Sequence, residues 1–277
     1  AHVLRQFFLK KNVYTSNLDE ADIGILFSYP FGFEEVYKKI FFEKRKRKFV
    51  VINRVYGPIF DYRPNDQMVD KINHYFNKFV SEGTIYQSLW SKNRFYAENI
   101  MKNKNSIVIH NASNPKIFNT KASKILENNK NNKISLIASS WSSNEKKGFS
   151  VYRYLDNNLD FKKYNFTFVG NSPTKFKNIR LISAVNSEGL AKLLKESDIF
   201  IFASELETCS NSLLEALQCG IPCVARNNSS QPEIVKEGGL LFNDEGDIIE
   251  KINKLALDIN KYKNQINIEG ISVIGQE

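Results

Sequence analysis

The sequence predicts an α/β protein of two Rossmann-like domains, each a parallel sheet covered by helices, with the N-terminal domain small or trimmed. Three observations carry that expectation. The 277 residues exceed the usual single-domain size yet fall short of two nucleotide-binding halves of ordinary length. Short β-branched and aromatic runs alternate with helical periodicity, the pattern of strands joined by crossover helices. Between two such series lies the Asn/Lys-rich stretch of residues 128–133, polar enough to be a loop. The domains are therefore drawn as 1–118 and 119–277, with the linker between Pro115 and Lys133.

In the first domain Ile23 to Ser28 and Phe49 to Asn53 read as short buried strands, separated by an amphipathic helix from Phe33 to Arg47. After the linker the alternation is clearer. Strands are expected at Ile134 to Ala138, Phe166 to Val169, Ile199 to Ala203 and Pro222 to Ala225. Helices are expected at Gly148 to Leu155, Glu188 to Lys195 and Asn211 to Gln218. In a doubly wound sheet of this kind, ligands bind beyond the carboxyl ends of the strands.

Composition narrows the classes. A hydrophobic share of 42% supplies real cores and excludes a disordered polymer. The formal charge of +9 favours anionic partners such as nucleotide phosphates, but much of the excess is Lys mixed with Asn, as solvated surfaces are. No nucleic-acid reader motif is recognisable, so nucleic acid is not expected as a partner. The three cysteines, Cys209, Cys219 and Cys223, make no CxxC pair; they read as reduced, mostly buried thiols of a cytoplasmic protein, and no metal site is expected. No apolar run approaches the ~20 residues that span a bilayer. The basic run Lys44 to Lys48, which follows Ile40, Phe41 and Phe42, fits a peripheral membrane contact or, more simply, a solvated helix end whose apolar residues face the core. His2, His74 and His110 are scattered and read as structural.

The richest segment runs from Phe200 through Glu207 and Glu215 to Pro222. A strand enters a polar turn, and the turn opens a helix that ends at Gly220, followed closely by proline. At the helix start, Ser210, Asn211 and Ser212 carry backbone N–H groups without helical partners, an anion site suited to a diphosphate. Glu207 precedes them and Glu215 lies inside the helix, so two carboxylates flank that site. The spacing alone is equally served by a plainer arrangement, in which Glu207 favours the helix N-terminus and Glu215 is a surface acid.

Glu207-x7-Glu215, with Ala-Leu-Gln-Cys-Gly-Ile-Pro-Cys-Val-Ala after it, resembles the donor-site signature of the GT-B retaining glycosyltransferases of family 4. The similarity extends to Ser139-Ser-Trp-Ser-Ser-Asn-Glu-Lys-Lys147-Gly148, which resembles the family's phosphate-binding loop, and to Phe168-Val-Gly170-Asn171. Asn228-Ser-Ser-Gln-Pro-Glu233 resembles a later small-residue turn. Residues 182–190, with Val185, resemble the loop that meets the nucleobase, and residues 85–92 and 108–118 resemble the end of the first domain. Val51-Ile-Asn53-Arg54-Val55-Tyr56-Gly57-Pro58 is similar to an acceptor-side segment, with Tyr56 where an acid would be expected.

The resemblance implies transfer of a sugar from a nucleotide sugar, UDP by family default, to an acceptor hydroxyl of a glycan, lipid or protein, with retention at the anomeric carbon. Glu207 would contact the transferred sugar and Glu215 the ribose. Lys147, a flexible point charge, would bind the diphosphate, and Ser140, Trp141, Gly170, Asn171 and Val185 would line the rest of the donor site. Arg54, Tyr56 and Gly57 would lie on the acceptor side, and neither metal nor cofactor would be required. The competing readings are a nucleotide-sugar-binding module with little or no turnover, a sugar-nucleotide epimerase on the same architecture, and a nucleic-acid binder.

Overall fold

The computed structural model describes residues 2–28, 33–46, 48–63, 67–121 and 133–266. The chain divides into two compact units, Ala1–Ile109 and His110–Glu277. The division falls ahead of the point expected after Phe118, because Ile117 and Phe118 pack into the core of unit 2. The Asn/Lys-rich stretch lies largely outside the described residues.

In unit 1 the described strands are β1 (Ile23–Ser28), β2 (Val50–Val55), β3 (Gly83–Tyr86) and β4 (Ser106–Val108), and the helices are α1 (His2–Lys10), α2 (Phe33–Lys46), α3 (Ile59–Tyr62), α4 (Gln67–Phe79) and α5 (Leu89–Ala97). The strands are all parallel and lie in the order β1-β2-β3-β4. Ile40 of α2 and Phe76 of α4 bury against Phe49 and Val51. A second small cluster joins Val55, Tyr86, Phe95 and Met101.

In unit 2 the strands are β5 (Ile134–Ser140), β6 (Tyr164–Gly170), β7 (Arg180–Ile182), β8 (Ile199–Phe202), β9 (Cys223–Arg226) and β10 (Gly239–Phe242). Helices α6 (Phe149–Asn158), α7 (Ser187–Lys195), α8 (Asn211–Gln218), α9 (Gln231–Val235), α10 (Ile248–Leu257) and α11 (Ile259–Gln265) connect and follow them. The sheet is parallel in the order β10-β9-β8-β5-β6-β7, so sequential strands build outward on one side, then the chain returns to the middle and builds outward on the other. β8 is buried along its whole length, which is why it reads as an unbroken apolar run rather than an alternating one. One core cluster contains Phe149, Tyr152 and Phe168 with Ile252, and the other contains Leu194, Phe200, Leu213 and Leu217; the sheet is thus covered by helices on both faces.

Most expected elements are present, with ends moved by a residue or two. β2 reaches Val55 because its last three residues pair with β3. β5 runs on to Ser140 because it pairs with β6 through Gly170. β3, β7 and β10 are too short to stand out by periodicity, and neighbours in the sheet define them.

Candidate donor site

Reversal of the strand order places β5 beside β8, the switch point at whose carboxyl ends doubly wound sheets have their binding crevice. Residues 141–148 follow β5 and residues 203–210 follow β8. Gly148 presses the first loop onto the second. It has φ +88°, and a Cβ there would lie 2.2 Å from the Ala203 carbonyl oxygen, so only glycine permits the approach. Just before it, Asn144 caps a 3-10 turn, Glu145–Lys147, by accepting from the Lys146 N–H. The Lys146 carbonyl in turn accepts from the Glu205 N–H at 2.9 Å.

This bracing brings Lys147 and Glu207 together: Nζ lies 2.6 Å from Oε1. Ser204 Oγ donates to the same oxygen at 2.7 Å, and no described residue donates to Oε2. Behind the carboxylate the backbone of Glu207 is held twice, its N–H by Ser229 Oγ at 2.9 Å and its carbonyl by Ser230 Oγ at 2.8 Å. Gln231 closes the network, with Nε2 donating to the Ser204 carbonyl and Oε1 accepting from Ser229 Oγ. Ser230 and Gln231 are fully buried. Ser204, Ser229, Ser230 and Gln231 were not singled out from the sequence; the small-residue turn before Pro232 was the available signal.

The helix α8 begins beside this pair. Ser210 is its N-cap, accepting from the Leu213 N–H, and its hydroxyl lies 3.1 Å from that of Ser212. The N–H groups of Asn211 and Ser212 fall outside the helix's own hydrogen-bond ladder. Glu215, one turn further in, is half-buried. Burial pushes its carboxyl up to about 7, and no described side chain donates a hydrogen bond to it.

A small concavity on the other side of β5 is lined by Ser140, Trp141, Gly170 and Val185, together with Ser139 and Ala184. Gly170 has φ +120°, and a Cβ there would lie 1.9 Å from the Ser140 carbonyl oxygen; the two strand ends touch through it. Asn171 braces the two strand ends. Its N–H donates to the Ser140 carbonyl and its Nδ2 to the Trp141 carbonyl, at 2.9 and 2.7 Å. Ser140 Oγ likewise turns onto its own loop, donating to the Ser142 carbonyl, while Trp141 is 63% exposed.

Arg54, Tyr56 and Gly57 belong to unit 1. Arg54 is buried at the end of β2 and donates from Nη1 to the Ile109 carbonyl at 3.3 Å. Tyr56 is half-buried, and desolvation raises its phenol pKa against the opposing influence of Arg54. Gly57 takes φ +104° in the turn that follows.

His110, expected at the strand-like end of the first domain, lies beyond β4 and belongs to unit 2. Its Nε2 is 2.8 Å from Glu233 Oε1. His74 Nδ1 accepts from the Met101 N–H, a structural bond. All three cysteines are free and buried. Among the described residues no group of His, Cys, Asp and Glu is arranged to hold a metal ion, and no helix is long and apolar enough to cross a membrane.

Two parallel Rossmann-like sheets, with a crevice at the strand reversal of the second, define the architecture of the GT-B glycosyltransferases. Residues 155–269, within unit 2, match the family model described as Glycosyl transferases group 1. An N-acetyl-alpha-D-glucosaminyl L-malate synthase of Bacillus anthracis is 34% identical over 59 residues, which are 21% of this chain and 16% of that relative. The fold extends over nearly the whole chain. Sucrose-phosphate synthase from Thermosynechococcus elongatus superimposes with a TM-score of 0.71 at 12% identity, over 98% of this chain and 71% of that one. HepE of Anabaena, solved in complex with UDP, superimposes with a TM-score of 0.74 at 14% identity, over 92% and 76%.

Proposed function

We propose that the chain is a retaining glycosyltransferase that moves a sugar from a nucleotide sugar, with UDP as the favoured nucleotide, to an acceptor hydroxyl of a glycan, lipid or protein, without a metal. The observation that carries this reading is the Lys147–Glu207 pair at 2.6 Å in the β5/β8 crevice, beside the N-terminus of α8. A cation and unpaired helical N–H groups converge there, as stabilisation of a departing diphosphate requires. Before donor binds, Glu207 compensates Lys147. A diphosphate competes for the ammonium and leaves the Glu207 carboxylate, still fixed by Ser204, to accept from sugar hydroxyls.

The remaining roles follow from position. Glu215, desolvated and without a donor, is an acceptor for ribose hydroxyls, which supply the hydrogen bonds that a buried carboxylate lacks. The concavity of Trp141, Gly170 and Val185 takes the base. Proton transfer from the acceptor to the leaving phosphate on the same face needs no enzyme base and accords with retention. Arg54, Tyr56 and Gly57 contribute the acceptor side from unit 1.

A panel of UDP-, GDP- and other nucleotide sugars, scored for binding and nucleotide release, tests the proposal. Absence of binding by every donor at millimolar concentration would sink it. Binding without hydrolysis or transfer to any acceptor would leave a nucleotide-sugar-binding module in its place.

A further inference from the structure

The basic run Lys44 to Lys48 is partly spent inside unit 1: Lys44 donates to the Val80 carbonyl and to Glu82, and Lys46 pairs with Glu43. The outward faces of α2 and α4 carry something different. These two helices pack side by side, with the Tyr37 ring stacked on Phe76 at 3.9 Å and the Tyr37 hydroxyl donating to Asn73. Their inward residues, Ile40 and Phe76, are buried in one cluster. Outward, α2 exposes Phe41 (45%) and Phe42 (55%), and α4 exposes Met68 (65%), Tyr75 (59%) and Phe79 (69%). These aromatic residues do not face the core, contrary to the simpler sequence reading of α2.

Cations are interleaved with them. Lys38, Lys39 and Arg45 are exposed on α2, and Lys71 and Lys78 on α4; none forms an ion pair with a described residue. Arg45 lies over the Phe41 ring at 4.8 Å and Lys78 over Phe79 at 5.3 Å. Of the nearby acids Glu43 and Asp70 are buried and Glu35 is exposed in the first turn of α2, so five cations face one exposed carboxylate across the described outer surface of the two helices.

We infer that the joint outer face of α2 and α4 docks on an anionic lipid surface, with Phe41, Phe42, Tyr75 and Phe79 at the acyl boundary and the five cations among the headgroups. Apolar insertion and headgroup attraction reinforce each other on such a face. Nucleic acid fits less well, because Val36 and Met68, both exposed in the same patch, have no ring on which a base stacks. The inference is independent of the donor site, which lies in unit 2.

The full chain is sedimented with vesicles of phosphatidylcholine alone and with vesicles in which part of that lipid is replaced by phosphatidylglycerol. Binding is expected only to the second, and to weaken with salt. Phe41→Ser/Phe42→Ser and Lys38→Gln/Lys39→Gln should each lower the partition coefficient. For the lysine pair the loss is about thirtyfold, from ~1 kcal/mol per cation at an anionic surface. Since all four side chains are exposed, thermal melts should match the parent, and Leu257→Ser, at an exposed site in unit 2, should bind as the parent does. Failure to bind anionic vesicles at low salt overturns the inference. So does undiminished binding by both double variants, or binding of single-stranded RNA in place of vesicles.

Discussion

Unit 2 reverses its strand order between β5 and β8, whereas the described strands of unit 1 run β1-β2-β3-β4 without a reversal. The two sheets share strand type, parallel pairing and helical cover, yet only the reversal brings loops from two non-consecutive strand ends onto one another. Their buried polar groups differ in the same sense. In unit 1, Asn77 accepts from Thr84 and donates to the Met101 carbonyl, stitching a helix to a strand and a loop. In unit 2, Ser204 Oγ donates to the Glu207 carboxylate, Ser230 Oγ to the Glu207 backbone carbonyl and Gln231 to the Ser204 carbonyl. Buried hydrogen bonding joins helix, strand and loop in one unit and holds a single glutamate in the other.

The hardest way to break the contrast is to push the loops of unit 2 apart. Gly148→Ala and Gly170→Ala each place a Cβ against a backbone carbonyl in a left-handed conformation. Each should cost about 3 kcal/mol or more in denaturant unfolding and abolish nucleotide binding. Gly24→Ala in unit 1 meets only the tip of the Phe49 ring, at 2.7 Å, and should cost less because that side chain can shift.

Next in size is the ion pair. Lys147→Ala and Glu207→Gln should each lower the rate of nucleotide release from a donor by about 10²–10³-fold. Lys147→Ala should also weaken UDP binding, whereas Glu207→Gln, which removes the carboxylate that competes for the ammonium, should leave UDP affinity undiminished or tighter. Calorimetric titration separates the two, and equal loss of UDP affinity in both would contradict the assigned roles.

Glu215 sharpens the comparison through pH. Its folded pKa, about 7, stands above the ordinary value of 4.5, so between those values the folded state holds a proton that the unfolded chain has released. Stability must therefore fall as pH rises from about 4.5 to 7 and level off above, by about 3 kcal/mol in all. Glu215→Gln should remove that slope in urea titrations and be more stable than the parent at pH 8. If ribose hydroxyls donate to the carboxylate, UDP affinity moves the other way. It weakens as pH drops below about 7 in the parent and loses that dependence in Glu215→Gln.

The smallest effect is expected from unit 1. Tyr56→Phe should leave UDP binding within about twofold, because every nucleotide contact proposed above comes from unit 2 and substitutions without shared partners act independently to within ~0.5 kcal/mol. A larger loss would show that unit 1 takes part in holding the nucleotide.

Periodicity and punctuation made much of this legible in advance. The helix of residues 211–218, closed by Gly220 and Pro222, was read with its observed ends, since cap and stop signals are local. The candidate donor residues were found from motif order, and the structure brings Lys147 to Glu207 and Ser140 to Gly170 and Val185. Less visible were the bracing bonds that Asn171 and Ser140 Oγ make to the Trp141 and Ser142 carbonyls. A side chain's direction depends on which backbone carbonyl comes within reach, and that is not a property of its own segment.

The sequence by itself determined the alternation of strands and helices, the two-unit layout, and the segments in which Lys147, Glu207 and Glu215 lie, because hydrophobic period, caps and glycine positions act over a few residues. Only the tertiary structure decided that β8 sits beside β5. That one adjacency, set by the burial of an apolar strand in the middle of the sheet, carries Lys147 across 60 residues of chain to Glu207. The turn after β9, brought to the same strand ends, supplies the Ser229 and Ser230 hydroxyls that hold the Glu207 backbone.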